Sequence, residues 1–386
     1  MYGIGIVGYG GFGQFLQAAW RELAEARVVA VADLVPPRKP LEEVRFYQRW
    51  QELLTDPEVE IVSVATPPSS HAEIACAAME AGKHVFIEKP MALSLEDARR
   101  LIQVRDRTGC RATVDYMLRF NPIVEALRWL TQEKAFGELR RVDIENYAQD
   151  TTLPPEHWFW DPTVAGGILI EHGVHFIDLV HDLTGRRWLQ VTGVSCARNE
   201  RQEDQALANV LYEGGLIATH YHSFSRPGFF EHTSIRLAYD LAQVDVEGWI
   251  PLSGRITALV NAETEGKLLR LPGFRVLYTC DLARLEDVSR PEGWGGGPSE
   301  RPSGRVRSGG VDYEVDKFME GEFTVGRSKG EIYAECLRAM MRDFIAGVKD
   351  PTRPLRVELE DGLTSLQVAL LATKFARSHA KAPEVR

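Results

Sequence analysis

A glycine cluster, Gly8-Tyr9-Gly10-Gly11-Phe12-Gly13, directly follows the apolar run at residues 4–7 and opens an amphipathic stretch at 14–26. This placement narrows the possible folds more than any other feature. Between a strand and a helix, glycines allow a tight turn, close approach of the backbone to a pyrophosphate, and close helix–sheet packing, while the helix N-terminus attracts phosphate charge. Asp33 ends the next apolar run, about 20 residues beyond the last glycine, where an acid accepts hydrogen bonds from the adenosine ribose. The same carboxylate repels a 2′-phosphate. The pattern implies a nicotinamide dinucleotide, NAD in preference to NADP.

Around this cluster, short β-branched runs at residues 4–7, 28–32, 61–65, 84–87 and 111–114 alternate with helical patterns at 14–26, 70–81 and 94–108. That rhythm predicts an α/β domain with a parallel sheet wrapped by helices. Ser94 followed by Asp97 reads as an N-terminal cap, and Gly82 and Gly109 read as helix stops. After Asn121-Pro122 and a helical run at 123–132 the texture turns to alternation. Val142 and Ile144, then Leu216, Ala218, His220, His222 and Phe224, then Val244 and Val246, each fall on one face of a strand, as an antiparallel sheet with unlike faces requires. The chain of 386 residues is long enough for two cores, and the expected division is a dinucleotide-binding domain at 1–118 and a separate α+β domain at 119–386. Residues 290–310, rich in Gly, Pro, Ser and Arg and without periodicity, read as a mobile excursion. Helical patterns at 331–348 and 361–378 follow.

Composition excludes several classes. With 55 Asp and Glu against 45 Lys and Arg, and a net charge of −10, the chain lacks the cationic surplus of a nucleic-acid binder or of a binder of anionic membranes. Cys76, Cys110, Cys196, Cys280 and Cys336 make no CxxC pair, so neither a disulfide framework nor a thiolate zinc site is suggested. No basic leader and no apolar run of membrane-spanning length is present, and a cytoplasmic enzyme is the expectation.

In an open parallel sheet the ligand crevice lies beyond the carboxyl ends of the strands. The residues there are Gly8 to Gly13, Asp33, Thr66-Pro67-Pro68, Glu88-Lys89-Pro90 and Asp115-Tyr116, which makes Lys89 a candidate on position alone. Further on, helical spacing puts Glu171, His175 and Asp178 on one stripe of a very apolar segment. Such groups form a closed polar network or line a cavity, because burying them unpaired is costly. A metal site is not expected, since Glu171-His172-Gly173-Val174-His175 lacks the HExxH pattern.

These segments together resemble the Gfo/Idh/MocA family, the glucose-fructose oxidoreductase and inositol dehydrogenase group. The resemblance rests on the glycine cluster, Ala65-Thr66-Pro67 with His71, Ala81-Gly82-Lys83-His84-Val85 leading into Glu88-Lys89-Pro90, Arg119-Phe120-Asn121-Pro122, and Gly166-Gly167 before Gly173-Val174-His175 and Asp178. It implies a Rossmann domain followed by an α+β domain on a large, mostly antiparallel open sheet, and a homodimer or homotetramer. It also implies hydride transfer between nicotinamide and a secondary alcohol or ketone of a sugar, cyclitol or related polyol.

Carried over by position, the resemblance makes His175 the acid/base, makes Lys89 the group that contacts both the nicotinamide ribose and the substrate oxygen, and puts Glu171 where many members pair an aspartate with the histidine. The bond from Lys89 to Pro90 is often cis in such proteins. Gly8, Tyr9, Gly10, Gly11, Phe12, Gly13, Asp33, Thr66, Pro67, Pro68, His71, Glu88 and Lys89 would surround the cofactor, and His157, Trp160 and His172 would face the substrate. Pro68 stands where asparagine is frequent. His220, His222 and Arg226 offer further donors for a polyol. Two other activities fit the same resemblance: glycoside cleavage through transient oxidation by NAD, and NAD sensing without turnover.

Overall fold

The computed structural model describes residues 1–39, 41–282 and 304–379. In its first part β1 (Tyr2–Val7), α1 (Gly11–Trp20), β2 (Ala26–Ala32), β3 (Arg45–Tyr47), α2 (Trp50–Leu54), β4 (Ile61–Val64), α3 (His71–Glu80), β5 (His84–Ile87), α4 (Leu95–Thr108) and β6 (Ala112–Val114) build a six-stranded sheet. Its order is β3-β2-β1-β4-β5-β6 with every pairing parallel. This is the doubly wound order, whose direction reverses between β1 and β4 and opens a crevice there. The strands read as continuous apolar runs because both faces are covered: Ile4, Ile6, Val31, Val62, Val85 and Phe86 are buried.

Local chemistry sets the helix ends. The Ser94 hydroxyl accepts from the Asp97 N–H at 3.0 Å to cap α4, and Gly109, at φ +71°, ends it in the left-handed conformation. Helix α1 starts at the glycine cluster itself and stops at Trp20, short of residue 26, because Ala26 already pairs with Tyr2 as the first residue of β2. Strand β3 escapes detection from sequence, since three residues at a sheet edge carry no usable periodicity.

The second part comprises α5 (Pro122–Gln132), β7 (Leu139–Gln149), α6 (Val174–Thr184), β8 (Trp188–Ala197), β9 (Glu203–Tyr212), β10 (Ile217–Arg226), β11 (His232–Tyr239), β12 (Ala242–Glu247), β13 (Ser253–Val260), α7 (Ala262–Lys267), β14 (Arg275–Asp281), β15 (Arg305–Ser308), β16 (Val311–Glu314), β17 (Lys317–Thr324), α8 (Lys329–Lys349) and α9 (Leu359–His379). Nine strands form an open sheet in the order β14-β17-β13-β12-β11-β7-β10-β9-β8. Only β7 and β10 pair in parallel. The inner face packs on helices through residues such as Val142, Ile144, Val210, Ala218 and Leu237. The outer face carries the ion pairs Arg141–Asp143 and Arg236–Asp245, each at 2.6 Å, and Arg226 over the Tyr147 ring at 4.4 Å. A face so furnished can stand in water.

Within the stretch 290–310 expected to be a mobile excursion, residues 290–303 lie outside the described residues, whereas the end at 304–310 departs from that expectation. There β15 and β16 make a hairpin turned by Gly309 and Gly310, both at positive φ. Two residues at positive φ are what a two-residue hairpin loop needs, and the Gly-Gly pair was its signal.

The two sheets lie on either side of residue 118, but α8 and α9 cross back over that division. Trp20 donates to the Leu337 carbonyl at 3.4 Å, and its ring meets Phe86 edge-on at 5.4 Å, which in turn meets Phe344 at 6.4 Å. Thr113 donates to the Val357 carbonyl at 2.9 Å.

A buried ion pair fixes the start of the second part to α6. Arg119 grips Asp178 with two bonds of 2.6 and 2.8 Å, and Asn121 beside it caps α5 and donates to the Pro251 carbonyl at 2.9 Å. Without Asp178 the buried Arg119 guanidinium keeps Asp361 at 3.0 Å and Asp182 at 3.9 Å, so Asp178→Ala should cost about 1–3 kcal/mol, read as a fall in the urea midpoint. A midpoint equal to that of the parent protein would show the pair to be dispensable.

Candidate functional site

Two cavities meet at the crevice. The first, of about 340 Å³, is lined by Gly8, Gly10, Gly11, Phe12, Asp33, Thr66 and Pro67, together with Gln48, Trp50 and Trp158. The second, of about 300 Å³, is lined by Pro68, His71, Glu88, Lys89, Glu171, His172 and His175, with Trp249 and Tyr333 opposite. Phe12, Ala65, Thr66 and Trp158 border both, so the two form one cleft.

The first cavity fits a dinucleotide on its own geometry. A Cβ added to Gly10 or Gly11 would meet nothing within 4 Å, so the backbone there faces open space at the start of α1. A Cβ on Gly8, at φ +94°, would lie 2.5 Å from the Ala65 carbonyl oxygen, and one on Gly13 would lie 2.1 Å from that of Gly8. Gly13 therefore serves the packing of α1 on β1 and does not line the cavity. Asp33 sits at the end of β2, where Oδ2 accepts from the Tyr9 N–H at 2.7 Å and Oδ1 from the Val35 N–H at 3.0 Å. Both oxygens keep a lone pair for a ribose hydroxyl. The Tyr9 ring turns away from this cavity into an adjoining one of about 650 Å³, which Arg38 and Lys39 also line.

In the second cavity the Lys89–Pro90 bond is cis. Lys89 Nζ donates to Glu171 Oε1 at 2.7 Å and to the Glu171 carbonyl at 2.8 Å. An ammonium has three donors, so one N–H remains for a ligand. Burial pushes the Glu171 carboxyl up, but the Lys89 charge and the neighbouring His172 outweigh it and hold the acid below its ordinary range. Glu88 behaves oppositely: burial, then the charge of Asp115, raises it well above the usual carboxylate range. Asp115 itself is raised to about 6, first by burial. Glu171, held low and 2.7 Å from the ammonium, is therefore the counterion of Lys89.

The imidazoles are held neutral. Burial, then the Lys89 charge, puts His175 well below its ordinary value, and burial brings His172 down to about 4. A neutral His175 can accept a proton at pH 7. His71 lines the same cavity, but its Nδ1 and Nε2 sit 2.8 and 2.7 Å from the carbonyls of Pro90 and Thr66. It braces the two strand-end turns against each other.

The structure departs from the expected single stripe of Glu171, His175 and Asp178. A π turn over Leu169–Gly173 precedes α6 and breaks the helical register. Glu171 then faces Lys89 and Asp178 faces Arg119, and Glu171 makes no hydrogen bond to His175, whose Nδ1 has no partner among the described residues. The extra methylene of glutamate lets the carboxylate reach the ammonium, and a charged partner outcompetes a neutral ring.

His157 and Trp160 are not brought to the cleft. They line a separate cavity of about 740 Å³, with the Trp160 indole N–H bound to the Leu153 carbonyl at 3.0 Å. Their neighbour Trp158 reaches the cleft instead. His220 and His222, expected to offer donors to a substrate, are fully buried behind α6, and Arg226 lies on the outer sheet face. Trp249 and Tyr333 give no local sequence signal, since they come from the loop after β12 and from α8. Among the described residues no group of three or more His, Cys, Asp or Glu is arranged to hold a metal ion, and no helix is long and apolar enough to cross a membrane.

Residues 2–116 match the oxidoreductase family Gfo/Idh/MocA, NAD-binding Rossmann fold, and residues 124–238 match the C-terminal domain of the same family. An uncharacterized oxidoreductase of Rhizobium meliloti is 36% identical over 153 residues, 38% of this chain and 45% of its own length. The scyllo-inositol 2-dehydrogenase (NAD(+)) of Bacillus subtilis is 29% identical over 205 residues, 49% of this chain and 57% of its own. The chain thus matches about half the length of these relatives. A crystal structure of an oxidoreductase domain protein from Kribbella flavida superposes with a TM-score of 0.72 at 20% identity, covering 98% of this chain and 97% of that one. With its doubly wound first sheet, its open nine-stranded second sheet and both family domains matched in order, the chain belongs to the Gfo/Idh/MocA family of oxidoreductases.

Proposed function

We propose that this protein is an NAD-dependent dehydrogenase that acts on a secondary alcohol of a cyclitol, sugar or related polyol. The observation that carries the reading is the cleft itself: Lys89, paired with Glu171, and a neutral His175 face one cavity that continues into the glycine-lined one. Gly10, Gly11 and the start of α1 would hold the pyrophosphate, and Asp33 the adenosine ribose. When bound, the nicotinamide supplies the hydride acceptor or donor.

The remaining work falls to the chain's own groups. His175 accepts the hydroxyl proton as the alcohol carbon is oxidised and returns it in reduction. The third N–H of Lys89 stabilises the oxygen as it becomes negative, while Glu171 keeps the ammonium aimed into the cleft. Trp158, Trp249 and Tyr333 wall the cavity, exclude water, and offer apolar faces to the C–H side of a ring.

The test is NAD reduction by myo-inositol, scyllo-inositol and glucose, with NADH oxidation by their keto forms and sugar release monitored in parallel. Turnover of at least one alcohol with the matching cofactor absorbance is expected. Flat responses to all would overturn the reading, and sugar release from glycosides without net cofactor change would replace it with the hydrolytic one.

A further inference from the structure

Five histidines run from the cleft into the protein interior. His175 and His172 line the cleft, and the His172 ring lies 6.5 Å from that of His175 and 5.4 Å from that of His222, both nearly edge-on. His220 follows His222 two residues back on the same inner face of β10, so their side chains are neighbours. Beyond them stands His181 at the far end of α6, edge-on to Tyr212 at 5.5 Å and 3.5 Å from the Ser365 hydroxyl. His220 and His222 are fully buried, whereas His181 is partly exposed. The file therefore begins at the cleft and ends at the last turn of α6, in a residue that is partly exposed although its Nε2 is itself buried.

Its ring nitrogens are unusual for a core. His172 Nε2, His175 Nδ1, His181 Nε2 and both nitrogens of His220 and His222 are buried without a hydrogen-bond partner among the described residues. Most buried polar groups are paired, and each exception is destabilising. Phenylalanine would suit these positions better, as Phe176 does, 5.2 Å from His222 and 5.6 Å from His172. The groups facing the file are Lys89 and Glu171 at the cleft end, and Tyr212, Ser365 and the Arg119–Asp178 pair at the other. Burial keeps His220 and His222 uncharged. Nothing in the hydride step uses them.

We propose that His172, His222, His220 and His181, bridged by single water molecules, form a proton relay that connects His175 with solvent on the far side of α6. The inference rests on the reading of His175 as the acid/base. Oxidation of a secondary alcohol releases one hydride, taken by NAD, and one hydroxyl proton, taken by His175. With substrate and cofactor filling the cleft mouth, that proton leaves inward from Nδ1. Each imidazole accepts a proton at one nitrogen while releasing one from the other, so no ring holds a lasting charge. One proton emerges at His181, and reduction runs the same path backwards. These four are relay residues that act through His175.

The test combines His220→Phe and His222→Phe with the more conservative His220→Gln and His222→Gln. With the panel alcohols myo-inositol, scyllo-inositol and glucose, each Phe variant should lose at least 10-fold in kcat, with KM changed less than 2-fold and a larger solvent deuterium isotope effect. Its melting temperature should be unchanged or higher. The Gln variants, which keep a polar group, should recover part of the rate. Independently of turnover, 15N-histidine NMR of the cofactor-free protein should show the ring N–H of His220 and His222 exchanging with solvent within seconds despite full burial. Slow exchange, or folded variants of either type with parental kcat and isotope effect, would overturn the relay. Activity surviving in His175→Ala would instead remove its premise, whereas an inactive His175→Ala beside unaffected His220 and His222 variants would refute the relay alone.

Discussion

Alanine in place of His175 should lower kcat by about 10²–10⁴-fold, the range lost with a general acid/base, while NAD binding measured by thermal shift stays intact. The pH profile gives a second signature. Burial and the Lys89 charge hold the imidazole well below its ordinary value, which favours the neutral ring. Oxidation needs that neutral form, so kcat/KM for the alcohol should stay flat through pH 6.5 and fall only in more acid solution. Reduction needs the imidazolium and should decline as pH rises. In His175→Ala the acid limb should vanish. Lys89→Met should cost about 10²–10³-fold in kcat through the lost stabilisation of the substrate oxygen. Because it leaves the Glu171 carboxylate buried without its partner at 2.7 Å, the double variant with Glu171→Gln serves as the folded control. Parental turnover in either His175→Ala or Lys89→Met would remove that residue from the chemistry.

Asp33→Ser should reverse cofactor preference. The carboxylate lies at the end of β2 in the glycine-lined cavity, where its charge opposes a 2′-phosphate. Arg38 and Lys39 line the cavity next to it, within the same turn of chain after β2. Serine keeps one acceptor for the Tyr9 N–H and removes the repulsion, and the two cations can then meet the phosphate. A hydrogen bond to a charged group contributes about 1.5–3 kcal/mol, which predicts a rise of roughly 10–100-fold in the ratio of kcat/KM for NADP over NAD. A ratio indifferent to the substitution would mean that Asp33 does not read the ribose.

The first sheet was legible because its signals are local. Buried parallel strands appear as apolar runs, the Gly8–Gly13 turn has steric demands only glycine meets, and Ser94 and Gly109 mark the ends of α4 within a few residues. Lys89 and Thr66 were legible as strand ends. The cleft's other wall was not. Trp249 and Tyr333 face Lys89 only because the second sheet and α8 are folded against the first domain, and no spacing in the chain encodes that meeting. His220 and His222 alternate correctly as inward residues, yet inward meant the interior and not the cleft. Helical spacing also misplaced Glu171, since a π turn is a property of the closed backbone and leaves no period of its own.

The return of α8 and α9 across residue 118 bears on the order in which the protein can fold as it is synthesised. Trp20 and Phe86 finish their contacts on Leu337 and Phe344, so the nucleotide-binding half emerges from the ribosome with an unfinished core. It must wait for helices made long afterwards. A fragment ending at 118 would carry the complete glycine loop and still present a large aromatic surface to water, and it should be recovered as aggregate although Gly8 to Gly13, Asp33, Thr66 and Pro67 are all present.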